Sequence, residues 1–167
     1  MDIRLAGLVD DSIVDGPGFR LAVFTQGCPH HCPGCHNPAT HDFEGGHIDT
    51  TERVITVMKA NPLLDGVTLS GGEPFCQPEA CAEIASAAKA SGLNVWSYSG
   101  WTFEQLLEKS AHEPGVKELL GTVDVLVDGP FLLAQRTLEL RFRGSKNQRL
   151  IDVPSSLAEG RAIEIKQ

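Results

Sequence analysis

Short, nearly continuous apolar runs alternate along this chain with longer stretches in which apolar residues recur at helical spacing. A first strand is expected over residues 3 to 9. Arg20 to Thr25, with a Leu-Ala-Val-Phe interior, has the length and composition of a parallel strand covered on both faces. Between them Asp15-Gly16-Pro17-Gly18 is turn chemistry, two glycines for unusual backbone angles and a proline that fixes φ. Residues 37 to 48 show no periodicity and read as loop. From Asp49, placed as an N-cap with Glu52 three residues on, Val54, Ile55, Val57 and Met58 give a helix an apolar stripe that Asn61-Pro62 stops. Gly66 to Ser70 is the next strand. The helix after it, over residues 78 to 91, carries Cys81, Ile84, Ala85 and Ala88 on one face and ends at Gly92 as C′ residue.

A strand over 93 to 97 leads to a helix capped by Thr102, with Gln105 as capping-box partner and Trp101 and Leu106 as hydrophobic staple. A short helix at 116 to 120 and a strand at 123 to 128 continue the alternation. Strand-like runs at 138 to 142, 148 to 153 and 162 to 165 lack helical periodicity and predict a strand-rich C-terminal tail. Strand and helix repeating at intervals of roughly 25 to 30 residues are the signature of βαβ units. The expected fold is α/β: a partial, open βα barrel of parallel strands, with too few units for a closed eight-stranded one. Sites in parallel sheets gather at the C-terminal ends of strands. Four loops are placed there: the one after Thr25, Gly71-Gly72-Glu73-Pro74, Ser97 to Gly100, and Asp128. They are expected to converge on one mouth.

Composition adds bounds. The 167 residues, 41% hydrophobic and 22% charged, describe an ordinary globular chain and predict one domain over 1–167, with no repeat, low-complexity tract or linker. No run of eighteen apolar residues exists and no basic-then-apolar leader opens the sequence, so a cytoplasmic protein without a membrane is expected. In that reducing compartment five cysteines suit metal better than disulfides. The net charge of −8 is uneven: residues 1 to 135 hold 7 Lys or Arg against 18 Asp or Glu, and residues 136 to 167 hold 7 against 4. The basic cluster Arg136, Arg141, Arg143, Lys146 and Arg149 reads as a solvated strand face, with no nucleic-acid fold signature beside it.

The chemistry concentrates in Cys28-Pro29-His30-His31-Cys32-Pro33-Gly34-Cys35-His36-Asn37, three thiols within eight residues. Thiolates are soft ligands for zinc, copper(I) or iron-sulfur clusters. Three of them on a four-iron cube leave one iron open to something that is not protein. Zinc completed by His30, His31, His36 or Cys76 is the competing arrangement, and would make the chain a binding module rather than an enzyme. Cys76 and Cys81 are read as small buried hydrophobes. His30 and His31 are read as solvent-facing or hydrogen-bonded, and Trp96, Tyr98 and Trp101 as core or staple, the last two near the mouth.

Cys28-x3-Cys32-x2-Cys35 after one strand and Gly71-Gly72-Glu73-Pro74 after the next resemble the radical S-adenosylmethionine (SAM) superfamily. The flanks Asp15 to Arg20, Phe24 to Cys28 and Cys35 to Pro38 are similar to the activases of glycyl-radical enzymes. Asp128-Gly129-Pro130-Phe131 and Phe142 to Arg149 resemble the branch that serves anaerobic ribonucleoside-triphosphate reductase. The resemblance runs from about residue 8 to about residue 153. It implies an oxidoreductase with a [4Fe-4S] cluster on Cys28, Cys32 and Cys35, whose fourth iron chelates SAM. Reduction, by a flavodoxin-like donor, cleaves SAM to methionine and a 5′-deoxyadenosyl radical, which takes a hydrogen atom from a glycine of the partner subunit. In that scheme Gly71 and Gly72 bring backbone to the methionine amino group, with Glu73 beside them either as contact or as loop anchor. Gly34 and His36 flank the adenine, and Asp128 takes the ribose or a cation. Pyruvate formate-lyase activation and 7-carboxy-7-deazaguanine synthesis are the enzymatic alternatives. Cys76, Cys81 and His41, the last where the family more often has tryptophan, depart from the pattern.

Overall fold

The computed structural model describes residues 1–166. Seven strands form one sheet: β1 (Asp2–Ser12), β2 (Arg20–Thr25), β3 (His47–Thr50), β4 (Gly66–Gly71), β5 (Asn94–Tyr98), β6 (Val125–Asp128) and β7 (Arg149–Asp152). Their spatial order is β3-β1-β2-β4-β5-β6-β7. β2, β4, β5 and β6 run parallel, whereas β1 is antiparallel to β2 and β3, and β7 to β6. The parallel centre matches the buried apolar runs, and the antiparallel edges are what the chain needs no crossover helix to reach.

Helices α1 (Thr51–Ala60), α2 (Pro78–Ala90), α3 (Phe103–Ser110) and α4 (Pro114–Thr122) cover one face. Leu21, Val23, Val67, Leu69, Val95 and Leu126 point at them from alternate strand positions and make the main core with Val54, Ile84, Phe103 and Leu119. The intervening positions face the other way, where Trp96, Val127 and Leu150 form a smaller cluster with Tyr98 and Phe142. Arg20 lies on that second side, wholly buried. Its guanidinium donates to Thr68 Oγ1 at 2.7 Å and to the carbonyls of Pro17 and Val67 at 3.0 Å. Burial pushes it down to about 10. A Cβ on Gly16 would stand 2.7 Å from Arg20 Nε. Gly16 of the Asp15–Gly18 turn therefore leaves room for a buried cation.

Two boundaries in this region differ from expectation. β3 begins in the stretch read as loop and runs through the start read for the next helix; its residues are mostly exposed, so no apolar alternation marks this edge strand. Because β3 runs through Thr50, the cap of α1 is Thr50 rather than Asp49: Thr50 Oγ1 accepts from Arg53 N at 3.1 Å. Asp49 is paired with Arg53, which holds its carboxyl down to about 2.

The strand-rich tail is the larger correction. Of the three runs only residues 149–152 become a strand. Asp152 then caps α5 (Val153–Glu159), accepting from Ser155 N, with Pro154 in its first turn and Gly160 left-handed at its end. An Asp-Val-Pro start of this kind is a helix signal inside an otherwise strand-like run. Around residue 164 a single bridge to Ile151 remains. Residues 138–142 form the tip of a flap: Arg136 bridges Ser145, Thr137 N donates to Gly144 O at 3.1 Å, and Lys146 N to Gln135 O at 2.9 Å. Phe142 turns it with φ +64°, its ring edge-on to Trp96 and its carbonyl accepting from Tyr98 OH at 2.8 Å. Among the described residues no helix is long and apolar enough to cross a membrane.

Candidate metal and cofactor site

The ends of β2 and β4 are laced together through backbone. Gly72 N donates to Thr25 O, and Glu73 N to Gly27 O, both at 2.8 Å. Gly27 N and Cys28 N are in turn bonded to the carbonyls of Thr40 and His41. A Cβ on Gly72 would sit 2.4 Å from Gly27 O, and one on Gly71, whose φ is +92°, 2.5 Å from Thr25 N. Close approach to a ligand is one reason for the glycine pair; close approach of two backbones is the nearer one.

Glu73 is the hub of this joint and is completely buried. Its Oε1 accepts from His30 Nε2 at 2.7 Å, Ser99 Oγ at 2.9 Å and Gly100 N at 2.8 Å, while Oε2 accepts from Phe75 N at 3.1 Å. One carboxylate thereby ties the cysteine loop, its own glycine loop and the loop after β5. Taken as a carboxylate, Glu73 only accepts, which places the proton of this bond on His30 Nε2. The His30 ring lies edge-on to Trp101 at 4.7 Å, over Gly100, where a Cβ would come within 2.3 Å of it. The pair His30 and His31 is hydrogen-bonded or solvent-facing as expected: His30 is bonded to Glu73, and His31, exposed and at φ +49°, packs edge-on against His41.

All five cysteines are free thiols. Cys28 is buried, and its thiol is pushed up by burial, an effect that amides of His30 and His31 oppose by donating to the sulfur. Asn37 N donates to Cys35 Sγ at 3.4 Å, and Cys35 N to Cys32 O at 3.1 Å. Amides aimed at sulfur tune the potential of a thiolate-bound cluster; Pro29 and Pro33 cannot donate, so the amides of His30, His31 and Asn37 are the ones that could do so for a cluster held here. Among the described residues no three His, Cys, Asp or Glu side chains form a group sized for a single metal ion. A four-iron cube, with one thiolate per iron, takes sulfurs spaced around a larger object.

Beside the loop opens a cavity of about 650 Å³. Cys28, Cys35 and His36 line it from the cysteine loop, Ser70, Gly71 and Gly72 from the end of β4, Tyr98, Ser99 and Gly100 from the end of β5, and Gly129 and Phe131 from beyond β6. The convergence of four loops expected from the strand order is therefore present. Arg143, Gly144 and Gln148 of the flap complete one wall, and Val14 and Asp15 another part of the rim. Cys32, Gly34, Glu73 and Asp128 lie outside this lining. Gly34, at φ +74°, abuts Leu133 and Phe131 instead.

Asp128, expected to take ribose or a cation, has other work. It is 1% exposed, both oxygens accept from Arg149, at 3.0 and 2.5 Å, and Oδ2 also accepts from Phe103 N at the start of α3 at 2.7 Å. Arg149, which also reaches Glu104, is raised by these hydrogen bonds. That pair fastens β7 and α3 to the end of β6. Cys81 is buried on α2 as its position in the apolar stripe requires; Cys76 is half-buried, its thiol pushed up to about 12 by burial. The hydrogen bonds of His30 and Ser99 to Glu73 carried no sequence signal, since 43 and 26 residues separate the partners.

A family model described as a 4Fe-4S single cluster domain matches residues 14–151. Over 144 residues the chain is 33% identical to the anaerobic ribonucleoside-triphosphate reductase-activating protein of Vibrio cholerae, covering 81% of this chain and 89% of that one. This chain belongs to that family of activating proteins. As a member it is also 35% identical over 114 residues to the pyruvate formate-lyase-activating enzyme of Clostridium pasteurianum, but there the match covers 63% of this chain and only 48% of the relative. Among solved structures, QueE from Escherichia coli is similar at a TM-score of 0.51 and 14% identity, over 60% of this chain and 53% of that one, a likeness of fold alone. The cysteine motif and the glycine loop both fall inside the segment that the family model matches.

Proposed function

We propose that this chain activates a glycyl-radical enzyme, anaerobic ribonucleoside-triphosphate reductase, using a [4Fe-4S] cluster and SAM. The observation that carries this reading is the meeting of a three-thiol loop and a two-glycine loop at one cavity, each ending a parallel strand. Cys28, Cys32 and Cys35 hold the cluster. When bound, cluster and SAM supply a reducing electron and a 5′-deoxyadenosyl radical that takes a hydrogen atom from a glycine of the partner.

The chain's own residues prepare that event. The half-buried backbone of Gly71 and Gly72 on the cavity wall faces the methionine end of SAM, and His36 flanks the adenine, while Gly34 lies outside the lining against Leu133 and Phe131. Glu73 acts from behind, holding His30, Ser99 and Gly100 so that the three loops keep their spacing. Asp128 supports the mouth through Arg149 rather than touching a ligand. Residues 1–167 serve as one domain, the sheet curling as an open barrel so that a protein partner can reach the cavity. A flavodoxin-like protein of the cytoplasm delivers the electron to the exposed outer side of the cysteine loop, where Pro33 and Gly34 are in solvent.

The experiment is anaerobic incubation with SAM, a reductant and each candidate partner, read by electron paramagnetic resonance. A glycyl radical on the anaerobic ribonucleoside-triphosphate reductase is expected. Its absence in a sample that cleaves SAM rules the reading out, and a radical on pyruvate formate-lyase alone reassigns the partner.

A further inference from the structure

The basic cluster of the C-terminal part is not a strand face. It divides in two. Arg149 is consumed by Asp128 and Glu104, and Arg143 faces the cavity. Arg136, Arg141 and Lys146 are exposed on the flap and form no ion pair among the described residues. Over residues 131–148 four cations stand against one carboxylate, Glu139, in a chain whose net charge is −8.

The same flap carries unusual apolar exposure. Leu138 at its tip is 86% exposed and still lines the cavity, Leu133 is 54% exposed and rests on Gly34 of the cysteine loop, and Val14, 72% exposed, lines the same cavity from the loop after β1. Solvated leucines flanked by unneutralised cations, continuous with the loop of the metal site, have the make-up of an interface: apolar anchors with a charged rim.

We propose that the flap is the docking face for the partner enzyme, and that it takes a segment of that protein with apolar anchors and acidic flanks. This rests on the glycyl-radical reading above, since it is that partner whose glycine must enter the cavity. Charge decides the chemistry of the occupant. A long polyanion would meet the repulsion of residues 1 to 135, with 7 cations against 18 carboxylates, whereas a local acidic segment meets only the flap. The leucines fit a protein surface and have no counterpart in phosphate backbone.

The test compares wild type with Arg136→Glu/Arg141→Glu/Lys146→Glu, both reconstituted anaerobically. Three measurements are made: 5′-deoxyadenosine release from SAM without partner, affinity for purified anaerobic ribonucleoside-triphosphate reductase across a salt series, and glycyl radical yield. The variant is expected to release 5′-deoxyadenosine at the wild-type rate, to bind the reductase about tenfold more weakly or worse at low salt, and to lose most of the salt dependence. Its radical yield falls at limiting concentration and recovers as reductase is raised. Equal affinity and salt slope in variant and wild type overturn the docking face while leaving the glycyl-radical reading intact. A wild type that cleaves SAM yet forms no glycyl radical overturns both. A single-stranded DNA oligonucleotide bound as tightly as the reductase, and lost in the variant, overturns the acidic-protein assignment.

Discussion

Replacing Glu73 by glutamine changes one atom of the side chain and disturbs four hydrogen bonds. With the carboxylate in place, Oε1 takes donors from His30, Ser99 and Gly100, and Oε2 takes Phe75 N. An amide must turn its NH₂ toward one of those two sets, so at least one buried donor faces another donor. The remaining bonds lose their charge assistance. Hydrogen bonds to a charged group are worth about 1.5–3 kcal/mol and neutral ones about 0.5–1.5, and an unsatisfied buried donor costs about 1–3, so Glu73→Gln is expected to destabilise the chain by about 3 kcal/mol. At this size that is a fall in Tm of about 6–12 °C. Thermal and urea unfolding of the metal-free chain under reductant measures it without involving the cluster. A cycle with His30→Leu, which keeps bulk over Gly100 but removes the donor, isolates the link between the two loops; coupling of about 1–3 kcal/mol is expected for partners in one buried network. The same variants should bind less iron after reconstitution, because the cysteine loop loses the His30–Glu73 tether to the glycine loop. Additivity within about 0.3–0.5 kcal/mol, with a Tm close to wild type, would refute the hub.

Four further outcomes follow from particular contacts. Cys28→Ala, Cys32→Ala and Cys35→Ala should each lose the iron that Cys76→Ala and Cys81→Ala retain, read as iron per chain and as brown absorbance; equal loss from all five would contradict the ligand assignment. Arg149→Met strands the buried Asp128 carboxylate and should cost about 3–5 kcal/mol in urea unfolding, with Arg149→Lys recovering only part because it cannot serve both oxygens. Gly72→Ala drives a methyl to within 2.4 Å of Gly27 O and should lower both stability and iron content, whereas Gly121→Ala, with nothing within 4 Å, should stabilise the chain by about 0.4–1 kcal/mol. Asp152→Ala removes the cap of α5 and should cost about 1 kcal/mol.

What the sequence makes legible here is whatever rests on local or periodic causes. The run from Arg20 to Thr25 announces a covered parallel strand because both its faces are apolar, and β2 has those bounds. The Thr102–Gln105 box and its staple are contained in six residues, and both halves of the box are formed. The cysteine motif is legible because three thiols in eight residues have few other uses. The misses share a different property: their causes are distant in sequence. β3 is a strand because β1 offers it an edge, not because of its own pattern. Residues 138–142 satisfy the alternation of a strand, yet Tyr98 and Trp96, more than forty positions earlier, draw Phe142 inward and leave Leu138 outside. Asp128 sits where a ligand-binding acid is expected, and only the return of β7 reveals that Arg149 has claimed it.

The same distinction explains how the mouth is built. Its candidate ligand-holding residues are encoded locally, in two short motifs, but their loops are tied together by Glu73, a residue that lies outside the cavity lining and whose partners come from three loops. A thiol motif grafted elsewhere would carry the ligands without this joint. Loop positions fixed from behind by a buried charge are held more firmly than loops that rely on their own turns, since moving any one of them exposes or orphans the carboxylate. The flap is the opposite case: it is tied to the sheet through Tyr98 and Trp96 but keeps its leucines and three cations in solvent. The inner wall is thus fixed by buried contacts and the outer one is left in solvent, which is where the proposed docking of the partner enzyme falls.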